Sequence, residues 1–190
     1  MRSLTVLGKA TSRSIYSENV LDDYAAAHDA ASGSALHGSG VWMQLGQNYY
    51  GTTYWVERVG LLFDTSGLLP TASILSATLS LYGYADYTPT DFNIVVVDGS
   101  DLDDPIVLAD FGDLLDEIIS WGAITTVGFS LVAYNVIALL DVGLLGISKG
   151  GTTKFGVRSY RDINSDIPTG NEFLAFRSAS TTNPPKLVVV

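Results

Sequence analysis

The sequence predicts an all-β chain: a jelly-roll β-sandwich of about eight strands, with one or two short helices and an N-terminal arm. Three observations carry that expectation. Short runs of alternating apolar and polar residues recur along the chain, turn-forming clusters separate them, and helical periodicity is nearly absent. A length of 190 residues suits one such domain and rules out two large ones.

Residues 1–22 fall outside the strand rhythm and carry Arg2, Lys9 and Arg13, so they read as an assembly arm ahead of a sandwich domain over residues 23–190. Strands are expected first at Val41 to Leu45 and Tyr54 to Phe63. The plainest follows, where Leu75, Ala77, Leu79 and Leu81 alternate with Ser76, Thr78 and Ser80 up to Gly83. Phe92 to Val97, Val127 to Val132, Thr153 to Ser159, Glu172 to Ser178 and Lys186 to Val190 complete the set. Breaks stand between them, among them Thr88-Pro89-Thr90, Asp98-Gly99-Ser100, Gly150-Gly151 and Pro184-Pro185. Two segments read as helical caps over an open end of the sandwich. Asp110 to Ser120 sets Leu114, Leu115, Ile118 and Ile119 on one stripe, and Leu139 to Ile147 precedes the stop at Lys149-Gly150-Gly151.

Composition narrows the function. Hydrophobic residues make up 47% and charged ones 16%, against about 25% charged in an ordinary soluble domain. Disorder is excluded, and so much apolar material with so few charges points to burial against other copies, as a homo-oligomer, or in a larger assembly. The most apolar stretch, Leu131 to Ile147, contains Asn135 and Asp141 and is too short for a membrane span. The start of the chain offers only Leu4 to Leu7 as an apolar run, far short of a secretory segment, so the chain reads as unsecreted. Twenty acidic residues against ten basic give a net charge of −10, which disfavours nucleic acid and anionic membranes as partners. No cysteine is present, which removes disulfides, thiolate chemistry and cysteine-based zinc sites.

Charge is also segregated, with no Lys or Arg between Arg58 and Lys149. That acidic middle reads either as solvated loops or as a negative face meeting the basic ends, within one chain or on a neighbouring subunit. Asp98, Asp101, Asp103 and Asp104 place several hard oxygens on one loop, the candidate set for a structural calcium, although the spacing is not that of an EF-hand. Plain solvated acids are the alternative, and no other cofactor is expected. His28 and His37 supply neither a zinc set nor a catalytic triad, since no G-x-S-x-G is present; no catalytic residue is assigned.

The aromatic residues are more informative. Trp42, Tyr49, Tyr50, Tyr54 and Trp55 gather around Gly46-Gln47-Asn48 and Gly51-Thr52-Thr53. Rings stack on sugar faces while amides meet the hydroxyls, and Tyr and Trp also favour protein interfaces. Core packing is the competing account.

Arg58-Val59-Gly60-Leu61-Leu62-Phe63-Asp64-Thr65-Ser66, running into Ala72 to Tyr82, and the ending Pro185-Lys186-Leu187-Val188-Val189 together resemble the DNRLRE-type β-sandwich domain, a jelly-roll module also seen among carbohydrate-binding modules. Ser80-Leu81-Tyr82-Gly83-Tyr84 and Gly151-Thr152-Thr153-Lys154-Phe155-Gly156 are similar to stretches in uncharacterised proteins of tailed bacteriophages and metagenomic viruses. The resemblance implies a non-enzymatic, self-assembling subunit of a virion surface, as capsid decoration, fibre or tail component. Its partners would be other virion structural proteins and host-surface glycan. A carbohydrate-binding module is the alternative, as is an extracellular filament subunit joined by strand exchange through the arm.

Overall fold

The computed structural model describes residues 3–190, so Arg2 of the expected arm lies outside the described residues. In chain order the elements are β1 (Leu4–Leu7), β2 (Arg13–Asn19), α1 (Tyr24–His28), β3 (Ala35–His37), β4 (Trp42–Tyr50), β5 (Thr53–Asp64), β6 (Ala77–Tyr87) and β7 (Asn93–Asp98). They continue as α2 (Asp110–Asp113), β8 (Gly122–Thr125), β9 (Tyr134–Ala138), α3 (Asp141–Leu145), β10 (Thr152–Ser159), α4 (Tyr160–Ile163), β11 (Asn171–Arg177) and β12 (Lys186–Val189). The protein is predominantly β, with twelve strands among the described residues where about eight were expected. All pairings are antiparallel. The strands form one curled sheet in the order β1-β12-β6-β11-β4-β5-β10-β7-β8, with β2 also on β5, β3 on β2 and β9 on β6.

The curl explains the apolar composition, because the central strands are buried on both faces. On one face Val59, Leu61 and Phe63 of β5, Ile94 and Val96 of β7, and Phe155 and Val157 of β10 pack with Leu79 and Leu81 of β6 and Leu187 of β12 in the main core. On the other, Val56, Leu62, Val95 and Val97 lie under Ile15, Tyr24, Ala27, Phe111 and Leu114 in a second core. Residues 56 to 63 are therefore buried without interruption, as strands covered on both sides require.

The segment read as an assembly arm pairs, from Leu4 on, with strands of its own chain. β1 pairs with β12 from Leu4↔Val189 to Leu7↔Lys186, and β2 pairs with β5 from Arg13↔Gly60 to Asn19↔Tyr54. Lys9 contacts Asp104, whose other oxygen accepts from the Thr11 hydroxyl at 2.9 Å, so a basic end meets the acidic middle inside one chain. The polar spelling of β2 hid it: Ser14 and Ser17, with Ser12 just before the strand, are buried beside Ile15. Removing residues 1–8 is expected to strip β1 and the partly buried Val6 from the core, at a cost of about 2 kcal/mol. Thermal melting of the truncated chain checks this, with a midpoint lower by roughly 4–8 °C.

Other boundaries also moved. Val127 to Val132 is a loop, not a strand, and its flanks Gly122–Thr125 and Tyr134–Ala138 form β8 and β9 instead. Gly128 turns there at φ +73°, and Asn135 gathers the loop by accepting from the Ser130 amide and donating back to the Ser130 carbonyl. The strand expected from Leu75 starts at Ala77, leaving Leu75 exposed. The two expected helices shrink to α2 and α3 of four and five residues.

One buried ionic cluster ties the layers together. The Asp162 carboxylate at the start of α4 accepts from Arg58 Nε and Nη2 at 3.1 and 2.9 Å and from Arg158 Nε at 2.7 Å. Arg58 also donates to the carbonyls of Phe111 and His28, and Arg158 to those of Leu115 and Glu117. Both guanidiniums and the carboxylate are essentially inaccessible to water. His28 joins them through Nε2 on the Asp162 carbonyl and Nδ1 on Asp29. Burial alone would lower its pKa, and the hydrogen bonds to Asp162 and Asp29 outweigh it, leaving the ring more basic than usual.

Candidate functional site

Residues in register across a sheet share a face, and here a row crosses five strands. Tyr16 of β2 stands opposite Glu57 of β5, Glu57 opposite Gly46 of β4, Gly46 opposite Phe173 of β11, and Phe173 opposite Tyr87 of β6. The adjoining row sets Glu18 against Trp55 and Trp55 against Asn48. Position 46, between Glu57 and Phe173, carries no side chain. Its φ of +126° is open to glycine, and a Cβ built there would lie 2.3 Å from the Glu172 carbonyl oxygen.

Over these rows lies a cavity of about 270 Å³ lined by Tyr16, His37, Gln44, Asn48, Trp55, Glu57 and Phe173. A second, of about 240 Å³, adjoins it at His37 and runs from Gly38 to Trp42. The His37 ring is packed between Tyr16 and Trp42, with centroids at 4.9 and 5.4 Å. Trp55 is held from outside by Glu18, which accepts from its indole N–H at 2.9 Å.

The polar groups set this cavity apart. Among the described residues, three buried side-chain polar atoms have no hydrogen-bond partner: His37 Nδ1, Asn48 Oδ1 and Glu57 Oε2. All three residues line the one cavity. A polar atom left unpaired costs about 1–3 kcal/mol, so three together mark a place where water or a ligand completes the hydrogen bonding. Glu57 is only 6% exposed, and burial pushes its carboxyl up from 4.5 to about 8. Burial lowers the pKa of His37, which favours the neutral imidazole.

Glu57 owes its burial to position. Trp55, Glu57, Val59, Leu61 and Phe63 lie on one face of β5, and the last three belong to the main core. The cavity is the open end of that face. The interruption of an apolar alternation by one glutamate was the sequence signal for the site; Tyr16, Gln44 and Phe173 had none, because they arrive through strand pairing.

The expected aromatic group divides. Trp55 lines the first cavity and Trp42 the second. Tyr49 and Tyr54 stack on each other at 4.4 Å, and Tyr54 meets Tyr24 of the second core at 5.6 Å, so this pair sits on the opposite face of the β4–β5 hairpin. Tyr50 is exposed beside the hairpin turn at Gly51.

The four aspartates proposed for calcium are not brought together as a cation site. Among the described residues no three His, Asp or Glu side chains are grouped to hold a metal ion. Asp98 accepts from the Ser100 amide, Asp104 is taken by Lys9 and Thr11, and the Lys154 ammonium occupies the Ser100 and Leu102 carbonyls. Lys9 and Arg13, assigned to assembly, are tied to their own chain: Arg13 donates to the Ala10 and Ser12 carbonyls. A cavity of about 430 Å³ beside Trp121 and Leu145 leaves no buried polar side-chain atom unpaired. No helix among the described residues is long and apolar enough to cross a membrane.

No protein-family model matches the chain, and no curated protein matches it in sequence.

Proposed function

We propose that the protein is a non-enzymatic recognition subunit of a virion surface, a decoration, fibre or tail component of jelly-roll sandwich type, which binds a host-surface glycan in the cavity beside Trp55. The observation that carries the reading is the meeting of three unpaired polar atoms with the rings of Tyr16, Trp55 and Phe173 in one small cavity. Sugars need this pairing, with rings for the C–H faces and polar groups for the hydroxyls. A volume below the roughly 300–1,000 Å³ of drug-sized sites suits a single terminal ring. A carbohydrate-binding module would use the same surface. His28, with both ring nitrogens engaged in the ionic cluster, is not free to act as a base.

Self-assembly into a homo-oligomer is part of this reading. It is supported by exposed apolar side chains on and around β9 and α3: Val132, Val136, Leu140 and Leu145. Light scattering should give a discrete oligomer, and a monomer would remove this part alone.

A glycan array tests recognition. The wild type should bind a limited set of glycans, and Trp55→Ala should lose at least about tenfold of that binding while melting near the wild-type temperature. Absence of any wild-type signal would overturn the glycan reading.

A further inference from the structure

Resting on that reading of the cavity, we infer that its ligand is an amino sugar, with a protonated primary amine seated against Glu57, Asn48 and His37 and the ring edges stacked between Trp55 and Phe173. The three unpaired atoms are the basis. Asn48 Oδ1 accepts, Glu57 Oε2 accepts once its carboxyl is ionised, and His37 Nδ1 accepts when the neutral ring carries its proton on Nε2. No Lys or Arg lines the cavity. A primary ammonium brings three donors and no acceptor, one for each unpaired atom, whereas a hydroxyl brings one donor and places its own lone pairs against them.

The surroundings favour a cation. Tyr16, Trp55 and Phe173 line the cavity, and aromatic rings attract an ammonium. An anion would find no Lys or Arg in the lining, and a hard metal ion would find too few oxygens for its six to eight ligands.

Ionisation of Glu57 is coupled to this event. The titratable groups facing it are Tyr16 from β2 and His37 from β3, while Gln44 and Asn48 of β4, Trp55 of its own strand and Phe173 of β11 bring no charge. In the empty site burial keeps the carboxyl protonated at neutral pH, with a pKa of about 8. Seating an ammonium ionises it and releases one proton, so affinity for a permanently protonated amine rises with pH up to about 8.

Titration calorimetry of the full chain with glucosamine, N-acetylglucosamine and methylammonium tests the inference. Glucosamine should bind at least about tenfold more tightly than N-acetylglucosamine, the size of a charge-assisted hydrogen bond, and more tightly than methylammonium, which lacks the ring. Methylammonium affinity should rise by up to about tenfold per unit between pH 6 and 8, and Glu57→Gln should abolish both the preference and the slope. Equal binding of glucosamine and N-acetylglucosamine would overturn the amine while leaving glycan recognition standing. Methylammonium binding as tightly as glucosamine would overturn the sugar in favour of an ammonium on some other carrier, such as a lysine side chain. Binding of none of the three would overturn the inference, while a positive glycan array beside it would preserve the broader reading. Circular dichroism of Glu57→Gln separates loss of binding from loss of fold.

Discussion

Replacing Asp162 with Asn is expected to destabilise the protein by about 3–5 kcal/mol, because two guanidiniums then remain buried with no counter-charge. Arg58 and Arg158 have almost no exposed surface through which to recover water, and the carboxylate receives three of their hydrogen bonds. At roughly 2–4 °C per kcal/mol for a chain of this length, the melting midpoint should fall by about 6–20 °C. A loss below about 1 kcal/mol would show that the cluster is not the clamp between β5, β10 and α4. The apolar triple replacement Arg58→Met, Arg158→Leu, Asp162→Leu should recover much of the loss, since a buried ion cluster is often no more stable than well-packed hydrocarbon. Acid should act as the substitution does. Burial alone would raise the Asp162 pKa, and the charges of Arg58 and Arg158 with the His28 hydrogen bond reverse this and hold it far below the usual carboxylate range. Its contribution is therefore present above about pH 4 and is lost as pH falls toward the depressed folded value. His28 has the opposite sign: its pKa is raised, so its contribution is full below about 6.5 and is lost as pH rises through the folded value.

Glu57 is the second large effect, and it runs against stability at neutral pH. With a folded pKa of about 8 against an ordinary 4.5, the native state keeps a proton that the unfolded chain releases. Stability should fall as pH rises between these values, with a limiting slope of about 1.4 kcal/mol per unit. By pH 7 the penalty reaches about 3 kcal/mol. Subtracting denaturation curves of Glu57→Gln from those of the wild type at each pH cancels the His28 contribution and isolates this term. The difference should slope between pH 5 and 8 and level off outside that window. A flat difference would mean that Glu57 is solvated, and the cavity would lose its acid. A protein that keeps such a group at this cost keeps it for a site, which links the measurement to the proposed function.

Glu57 and Arg58 also show how far the sequence could be read. They sit side by side in Tyr54-Trp55-Val56-Glu57-Arg58-Val59-Gly60-Leu61-Leu62-Phe63, the interior of a strand whose neighbours are apolar on both faces. Two charges in such a run signal that each meets a special environment, one on each face of the sheet. What each meets was not legible. Arg58 finds Asp162, 104 positions away, and Glu57 finds Tyr16, Gly46 and Phe173 through three separate strand pairings.

Local pattern determined the class of fold. The alternation of Ala77, Leu79 and Leu81, the apolar run from Leu61 to Phe63 and the turns between strands are properties of neighbours in the chain, and they carry the β architecture wherever the strands lie. Strands without an apolar alternation, such as Arg13–Asn19, gave no such sign, because the β5 edge they pair with supplies their backbone partners and covers their serines. Only tertiary structure decided that the supposed arm is part of the sheet, and that Trp55 lines a cavity while Tyr54 stacks on Tyr49 over the second core. It alone brought three unpaired polar atoms into one cavity. The physical reason is register: each strand's sequence sets its own two faces, but which residues stand opposite is settled only when the strands pair.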